Sequence, residues 1–313
     1  LRAAPPEFEI EPPATTRHPS PALLYSLIGV MILLWSLNFV VGKVALRQFP
    51  ALLLGGLRCA LAGALMLPIY AWSLQRQPGS RPRGPEIGML LMLGFFGVAL
   101  NQLFFVLGLS RTSVAHAAIL VGLTPIIVLL IAASMRMERI TGLKVLGMGL
   151  ALAGIGVLNA APKKGPGVTW LGDLAILASG VTFAIFTVSG KRVSQYHGTI
   201  TVSTFAYAGG ALVLAPMTLW YAAGFDFGRV TPGGWASLVY MAAFPSVVSY
   251  LIYYWALTHV TASRVAAFSY LQPLLATLLG VALLDEKVTG WLIAGGALVL
   301  AGVFVTERLA AKR

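Results

Sequence analysis

The chain has 313 residues; 58% are hydrophobic, only 10% are charged, and the mean hydropathy is +0.84. A soluble domain carries roughly 25% charged residues, so a soluble fold of this size is excluded and a polytopic membrane protein is implied. The formal charge of +12 is spread between apolar runs, which reads as topology signals at the membrane and not as a nucleic-acid surface.

Residues 1–21 open on Leu1 rather than Met, which reads as a trimmed start, and hold six prolines and three glutamates with no long apolar stretch. A disordered cytoplasmic tail is expected there, not a signal peptide. Ten apolar segments follow, near 22–46, 51–74, 86–108, 112–135, 142–161, 170–191, 199–222, 233–257, 262–284 and 289–309. Each approaches the roughly 20 residues that a helix needs to cross a bilayer. The runs are continuous, not alternating, so a β-barrel is excluded. Connections are short and carry Pro, Gly or charge, as in 77–82 and the linker 162–169. Placing the N-terminus in the cytoplasm puts 14 Lys and Arg on that side and 6 on the other, with Lys43 and Arg58 inside spans. Both termini are therefore expected inside, the last four residues, 310–313, forming a second tail. Cys59 is the single cysteine, so no internal disulfide or cysteine metal cluster can form.

Shifted by 148 residues, the sequence aligns with itself without gaps. Gly42-Lys43 meets Gly190-Lys191, Pro68 meets Pro216, Pro125 meets Pro273, and Glu138-Arg139-Ile140-Thr141-Gly142 meets Glu286-Lys287-Val288-Thr289-Gly290. The expected fold is all-α, ten transmembrane helices in two five-helix repeats, 22–161 and 170–309. Five is odd, so the second repeat enters from the opposite side, the inverted architecture of secondary transporters.

The residues carrying this pattern resemble the drug/metabolite transporter superfamily in its EamA-type branch. They are Trp35-Ser36-Leu37-Asn38-Phe39, Leu57-Arg58, Gly108-Leu109-Ser110-Arg111-Thr112-Ser113, Thr124-Pro125, Ala262-Ser263-Arg264 and Gln272-Pro273. The resemblance implies a bacterial inner-membrane protein moving amino acids, other metabolites or drugs, usually outward. It also implies a central cavity lined by spans 1, 3, 4, 6, 8 and 9.

Polar groups inside hydrocarbon are costly unless they face protein or water, so they mark that cavity independently. The candidate substrate-binding residues are Trp35, Asn38, Asn101, Gln102, Phe105, His116, Phe183, Phe186, Tyr250, Tyr253, Ser269 and Gln272. An aromatic chamber with a few amides and hydroxyls suits an amphipathic or aromatic solute. Tyr240 and Trp235 lie near a span end and read as anchors. His116 is the candidate proton site. Arg58 and Lys43 read as structural charges, with Glu286 and Asp173 as available anions. Pro125 and Pro273 are expected to bend spans 4 and 9, and Pro245, whose mate is Gly97, to bend span 8 without a counterpart. Gly142, Gly147, Gly149, Gly154 and Gly156 are expected to permit close helix contact.

No Asp or Glu lies in the middle of a span, so carboxylate-based proton antiport lacks its residue, and facilitated diffusion or exchange is expected. An obligate cation has no buried anion to meet. The alternatives are an organic-phosphate or nucleotide-sugar exchanger, which needs several converging cations where only Arg264 is well placed, and a membrane-embedded lipid-modifying enzyme. The latter lacks an Asp-rich metal motif, and no phosphate-binding loop is present for ATP. No cofactor, metal or nucleic-acid partner is expected. The expected partners are a small-molecule substrate and the bilayer, and a monomer suffices.

Overall fold

The computed structural model describes residues 19–76, 81–82, 84–112, 117, 120–159, 169–194, 196–284 and 290–306. Among these residues there are helices and no strand. A segment surrounded by hydrocarbon must pair its own N–H and C=O groups, and a helix does so within itself. Helix α1 spans Pro21–Leu46 and α2 Ala51–Arg76. A continuous rod follows, built from α3 (Gly84–Gly94), a π-helical turn (Phe95–Leu100) and α4 (Asn101–Arg111). Next come α5 (Thr124–Ser134), α6 (Gly142–Asn159), α7 (Trp170–Val193) and α8 (Thr199–Ala223). A second rod joins α9 (Pro232–Met241), a π-helical turn (Ala242–Val248) and α10 (Ser249–His259). The last segments are α11 (Ala262–Ala267), a 3₁₀ turn (Phe268–Tyr270), α12 (Leu271–Leu284) and α13 (Gly290–Phe304).

Among the described residues, six helices are long and apolar enough to cross a membrane: Pro21–Leu46, Ala51–Arg76, Glu86–Arg111, Trp170–Val193, Thr199–Ala223 and Pro232–His259. Their outer faces stay apolar, with Met92, Leu212, Leu219 and Trp220 at 60%, 68%, 70% and 80% exposure. Such a surface would aggregate in water and suits lipid. Helix starts are written locally. Ser20 caps α1 through Leu23 N–H, Thr169 caps α7 through Gly172 N–H, and Thr231 caps α9 through Gly234 N–H.

Pro245 is expected to bend its span without a counterpart; the structure has π-helical turns at Phe95–Leu100 and Ala242–Val248, corresponding stretches of the two halves. The backbone widens in both, with glycine at 97 and proline at 245. A Cβ on Gly97 would strike the Phe186 ring, so glycine is required there for a packing reason. Pro125 and Pro273 stand in the first turns of α5 and α12, after a turn at 122–123 and the 3₁₀ turn at Phe268–Tyr270. A first-turn proline loses no intrahelical bond, so each proline marks where a broken span resumes.

Helices α6 and α13 pack face to face through reciprocal glycines. A Cβ on Gly147 would lie 2.8 Å from Gly302 O, and one on Gly154 would lie 2.7 Å from Gly295 O. Gly295 and Gly302 are the repeat mates of Gly147 and Gly154, so each glycine meets the mate of the other. A two-fold relationship produces such reciprocal contacts. Gly142, Gly149 and Gly156 have nothing within 4 Å of that position, so they take no part in the contact.

Candidate cavity and the seal at its far end

A cavity with about 600 Å³ of empty space, the solvent at its open side included, is lined by residues of both halves. Nine of the twelve sequence candidates border it: Trp35, Asn38, Asn101, Gln102, Phe105, Phe183, Tyr250, Ser269 and Gln272. Phe39, Arg58, Val121, Thr124, Ser179 and Gly180 complete the wall. Phe186 and Tyr253 are fully buried behind it, and His116 lies outside the described residues.

Several polar groups of the wall hold the frame. The Trp35 indole N–H donates to Pro245 O at 3.0 Å, which fixes the ring. Asn101 Nδ2 donates to Ser179 O and Oγ at 2.9 and 3.0 Å, tying α4 to α7. Trp35 stands edge-on to Phe183 and Tyr250, at 5.8 and 6.0 Å between centroids. Beneath them Tyr253 lies 5.5 Å from Trp35 and 5.3 Å from Phe183. Tilted and edge-to-face packing of this kind makes a rigid aromatic floor.

The lining is symmetric at its centre and lopsided beyond it. Four pairs of wall residues stand 148 positions apart: Trp35 with Phe183, Gln102 with Tyr250, Val121 with Ser269, and Thr124 with Gln272. Outside this ring, Asn38, Phe39, Phe105, Ser179 and Gly180 border the cavity. Their mates Phe186, Thr187, Tyr253, Met31 and Ile32 are all at 0% exposure. The cavity therefore extends toward the end where α1 and α4 finish and α7 begins, and it is shut at the other.

The shut end is held by specific bonds. Tyr253 Oη and Thr187 Oγ1 are 2.7 Å apart, and Tyr254 packs on Gly190. Lys191 Nζ donates to Leu257 O at 2.9 Å and to Val260 O, capping the end of α10. Glu138 crosses between the halves. Its carboxylate accepts from Lys144 Nζ at 2.7 Å, from Ser263 N–H at 3.1 Å and from Ser263 Oγ. Arg136 aims it there from a left-handed conformation, φ 57°, where Arg136 N–H meets Ala133 O and Met137 N–H meets Ala132 O. Burial alone would raise the Glu138 carboxyl, but the bonds from Lys144 and Ser263 hold it below the ordinary carboxylate range. Glu286, the mate of Glu138, lies outside the described residues.

Arg58 is the wall residue that sequence reasoning set aside as structural. It is 2% exposed, and its Nε donates to Ser246 Oγ at 2.8 Å. Among the described residues no carboxylate meets it. Lys43 takes carbonyls at the end of α4, donating to Leu109 O and to Thr112 O, the latter at 2.6 Å. Arg264, the other cation considered for substrate, reaches Tyr25 Oη at 3.5 Å and is not part of the wall. Thr124 and Ser179 could have been found from the sequence: Thr124 as the mate of Gln272, Ser179 as a hydroxyl inside a span. Among the described residues, no group of three or more His, Cys, Asp or Glu could hold a metal ion.

Comparison with known proteins gives a consistent picture. The model of the EamA-like transporter family matches twice, over residues 21–160 and 170–308. An uncharacterized transporter of Archaeoglobus fulgidus is 29% identical over 288 residues, covering 90% of this chain and 96% of its own length. The uncharacterized transporter YetK of Bacillus subtilis is 28% identical over 284 residues, covering 90% and 85%. The uncharacterized inner membrane transporter YedA of Escherichia coli is 25% identical over 296 residues, covering 90% of each. One solved crystal structure shares the fold with a TM-score of 0.75 at 24% identity, covering 94% of this chain and 99% of its own.

Proposed function

This chain belongs to the EamA-like transporter family, and from that premise we propose a ten-span secondary transporter that works by alternating access. Multi-pass insertion and transport of a small molecule follow from the family. The finer reading is export of amino acids or aromatic compounds across a bacterial inner membrane, with both termini cytoplasmic, by one chain acting as a monomer. Facilitated diffusion or exchange is the mode, since no carboxylate borders the cavity among the described residues.

The observation that carries the reading is the lopsided lining. Two repeats of opposite orientation around one site can exchange conformations, and the exchange moves the opening from one side to the other. In the second state Phe186, Thr187 and Tyr253 would line the cavity, and Asn38, Phe39 and Phe105 would be packed. The reciprocal glycines of α6 and α13 support a two-fold axis on which this exchange could turn. Placing the N-terminus in the cytoplasm makes the present opening the outward one. The aromatic floor supports an aromatic or amphipathic solute.

Counterflow in proteoliposomes tests the proposal. Vesicles loaded with unlabelled amino acids, aromatic ones included, should accumulate trace labelled solute without a pH gradient. Uptake that never saturates would favour a channel. Uptake that requires the gradient, and loses that requirement in His116→Ala, would replace exchange by proton coupling.

A further inference from the structure

We infer that Arg58 is the anion anchor of the cavity and takes the carboxylate of the transported solute. The inference deepens the transport reading and rests on it. Arg58 lies in α2, a helix that the sequence did not assign to the cavity, and it borders the cavity at 2% exposure. One edge of its guanidinium is fixed. Nε donates to Ser246 Oγ at 2.8 Å, and that hydroxyl donates to Met241 O at 2.8 Å, within the π-helical stretch of the second rod. Nη1, by contrast, is buried with no hydrogen-bond partner among the described residues.

A bracing role for α2 against the π-helical turn accounts for Nε and leaves Nη1 unexplained. A buried cation without an anion is costly, and the cost is relieved when an anion arrives. The same cavity holds a matching orphan acceptor, since Asn38 Oδ1 is also buried without a partner. A donor cation and an amide oxygen bordering one cavity complement a carboxylate carrying an N–H donor, as in an α-amino acid. Trp35, Phe183 and Tyr250 offer ring surface to its apolar part. Arg58 is the sole cationic side chain of the wall among the described residues, which matches a monoanionic carboxylate better than a phosphate dianion.

The test uses the full chain in lipid nanodiscs and calorimetric titration. The probes are phenylalanine against phenylalaninamide, phenylacetate against phenylacetamide, and inorganic phosphate. Each carboxylate should bind about tenfold or more tightly than its amide, the scale of one charge-assisted hydrogen bond. Arg58→Gln should erase that gap, and Arg58→Lys should narrow it. Carboxylates that bind no better than amides, absence of all binding included, overturn the inference without any variant, so a misfolded Arg58→Gln does not rescue it. A gap that survives in Arg58→Gln, or phosphate binding as tight as the carboxylates, also overturns it. Counterflow separates the two readings. Amides that exchange while acids do not would remove the anchor and keep the carrier. A carboxylate gap in binding with no exchange of any solute would keep the anchor and remove the carrier.

Discussion

Lys43 and Lys191 make the same bonds 148 positions apart. Lys43 donates to Leu109 O and Thr112 O, and Lys191 to Leu257 O and Val260 O, each acceptor being the repeat mate of the other. Arg111 O accepts from Thr169 Oγ1, so the Lys43 cap lies beside the start of α7, whereas Lys191 sits near its end. Each ammonium meets carbonyls that a helix terminus leaves without partners, where the helix dipole also favours a cation.

Replacing either lysine by Met should therefore lower stability by about 1–2 kcal/mol, the worth of charge-assisted bonds to a helix end. The two losses should add in the double variant, because the sites share no partner. Thermal melting of the detergent-solubilised chain checks both statements.

Glu138 sets a pH dependence at the shut end. Its ordinary carboxyl value is 4.5, and the folded value lies below it. The contribution is therefore complete above 4.5 and lost as pH falls through the folded value. Glu138→Gln should cost about 1–3 kcal/mol at neutral pH, as expected for weakening a buried bonded carboxylate. It should also flatten the stability profile below pH 4.5, measured by denaturation across the acid range.

Glu138 further predicts a bias between states. Its bonds to Ser263 join the halves at the shut end, so Glu138→Gln should raise access there. Cysteine labelling reads this out, because Cys59 is fully buried and leaves a quiet background. Phe105→Cys should react with a membrane-impermeant thiol reagent from the open side, and Tyr253→Cys should be protected. In the Glu138→Gln background, protection of Tyr253→Cys should fall.

The α6–α13 contact predicts a sharp contrast between neighbouring glycines. Gly154→Leu places a side chain where Val299 N and Gly295 O already stand at 2.6 and 2.7 Å, and folding yield should collapse. Gly149→Leu meets nothing within 4 Å and should leave the yield near wild type. Fluorescence-detected size exclusion of the two variants decides it.

Much of the cavity was legible because hydrocarbon makes polar residues conspicuous. Asn38, Gln102, Ser269 and Gln272 stand out in apolar runs, and the repeat pairs Gln102 with Tyr250. The same reasoning placed Tyr253 and Phe186 in the wall, whereas they are packed behind it. A residue and its repeat mate have equal claims by position, and only the conformation selects between them. Arg58 reads as structural from the sequence, and its bond to Ser246 fits that reading, while its Nη1, unpartnered among the described residues, is visible only in the fold. Its charge was visible in the sequence, but its lack of an acidic partner among the described residues depends on which helices surround it.

The sequence by itself determined the membrane class and the doubling of the chain. These follow from hydropathy and self-similarity, which are properties of the chain read along its length. The tertiary structure decided which glycines touch, which lysine meets which carbonyl, and which end of the cavity is shut. Those outcomes depend on how side chains pack between segments far apart in sequence. The two halves are related in sequence, so their near-equivalence leaves the choice of open end to a few packing contacts and hydrogen bonds, Glu138 to Ser263 among them.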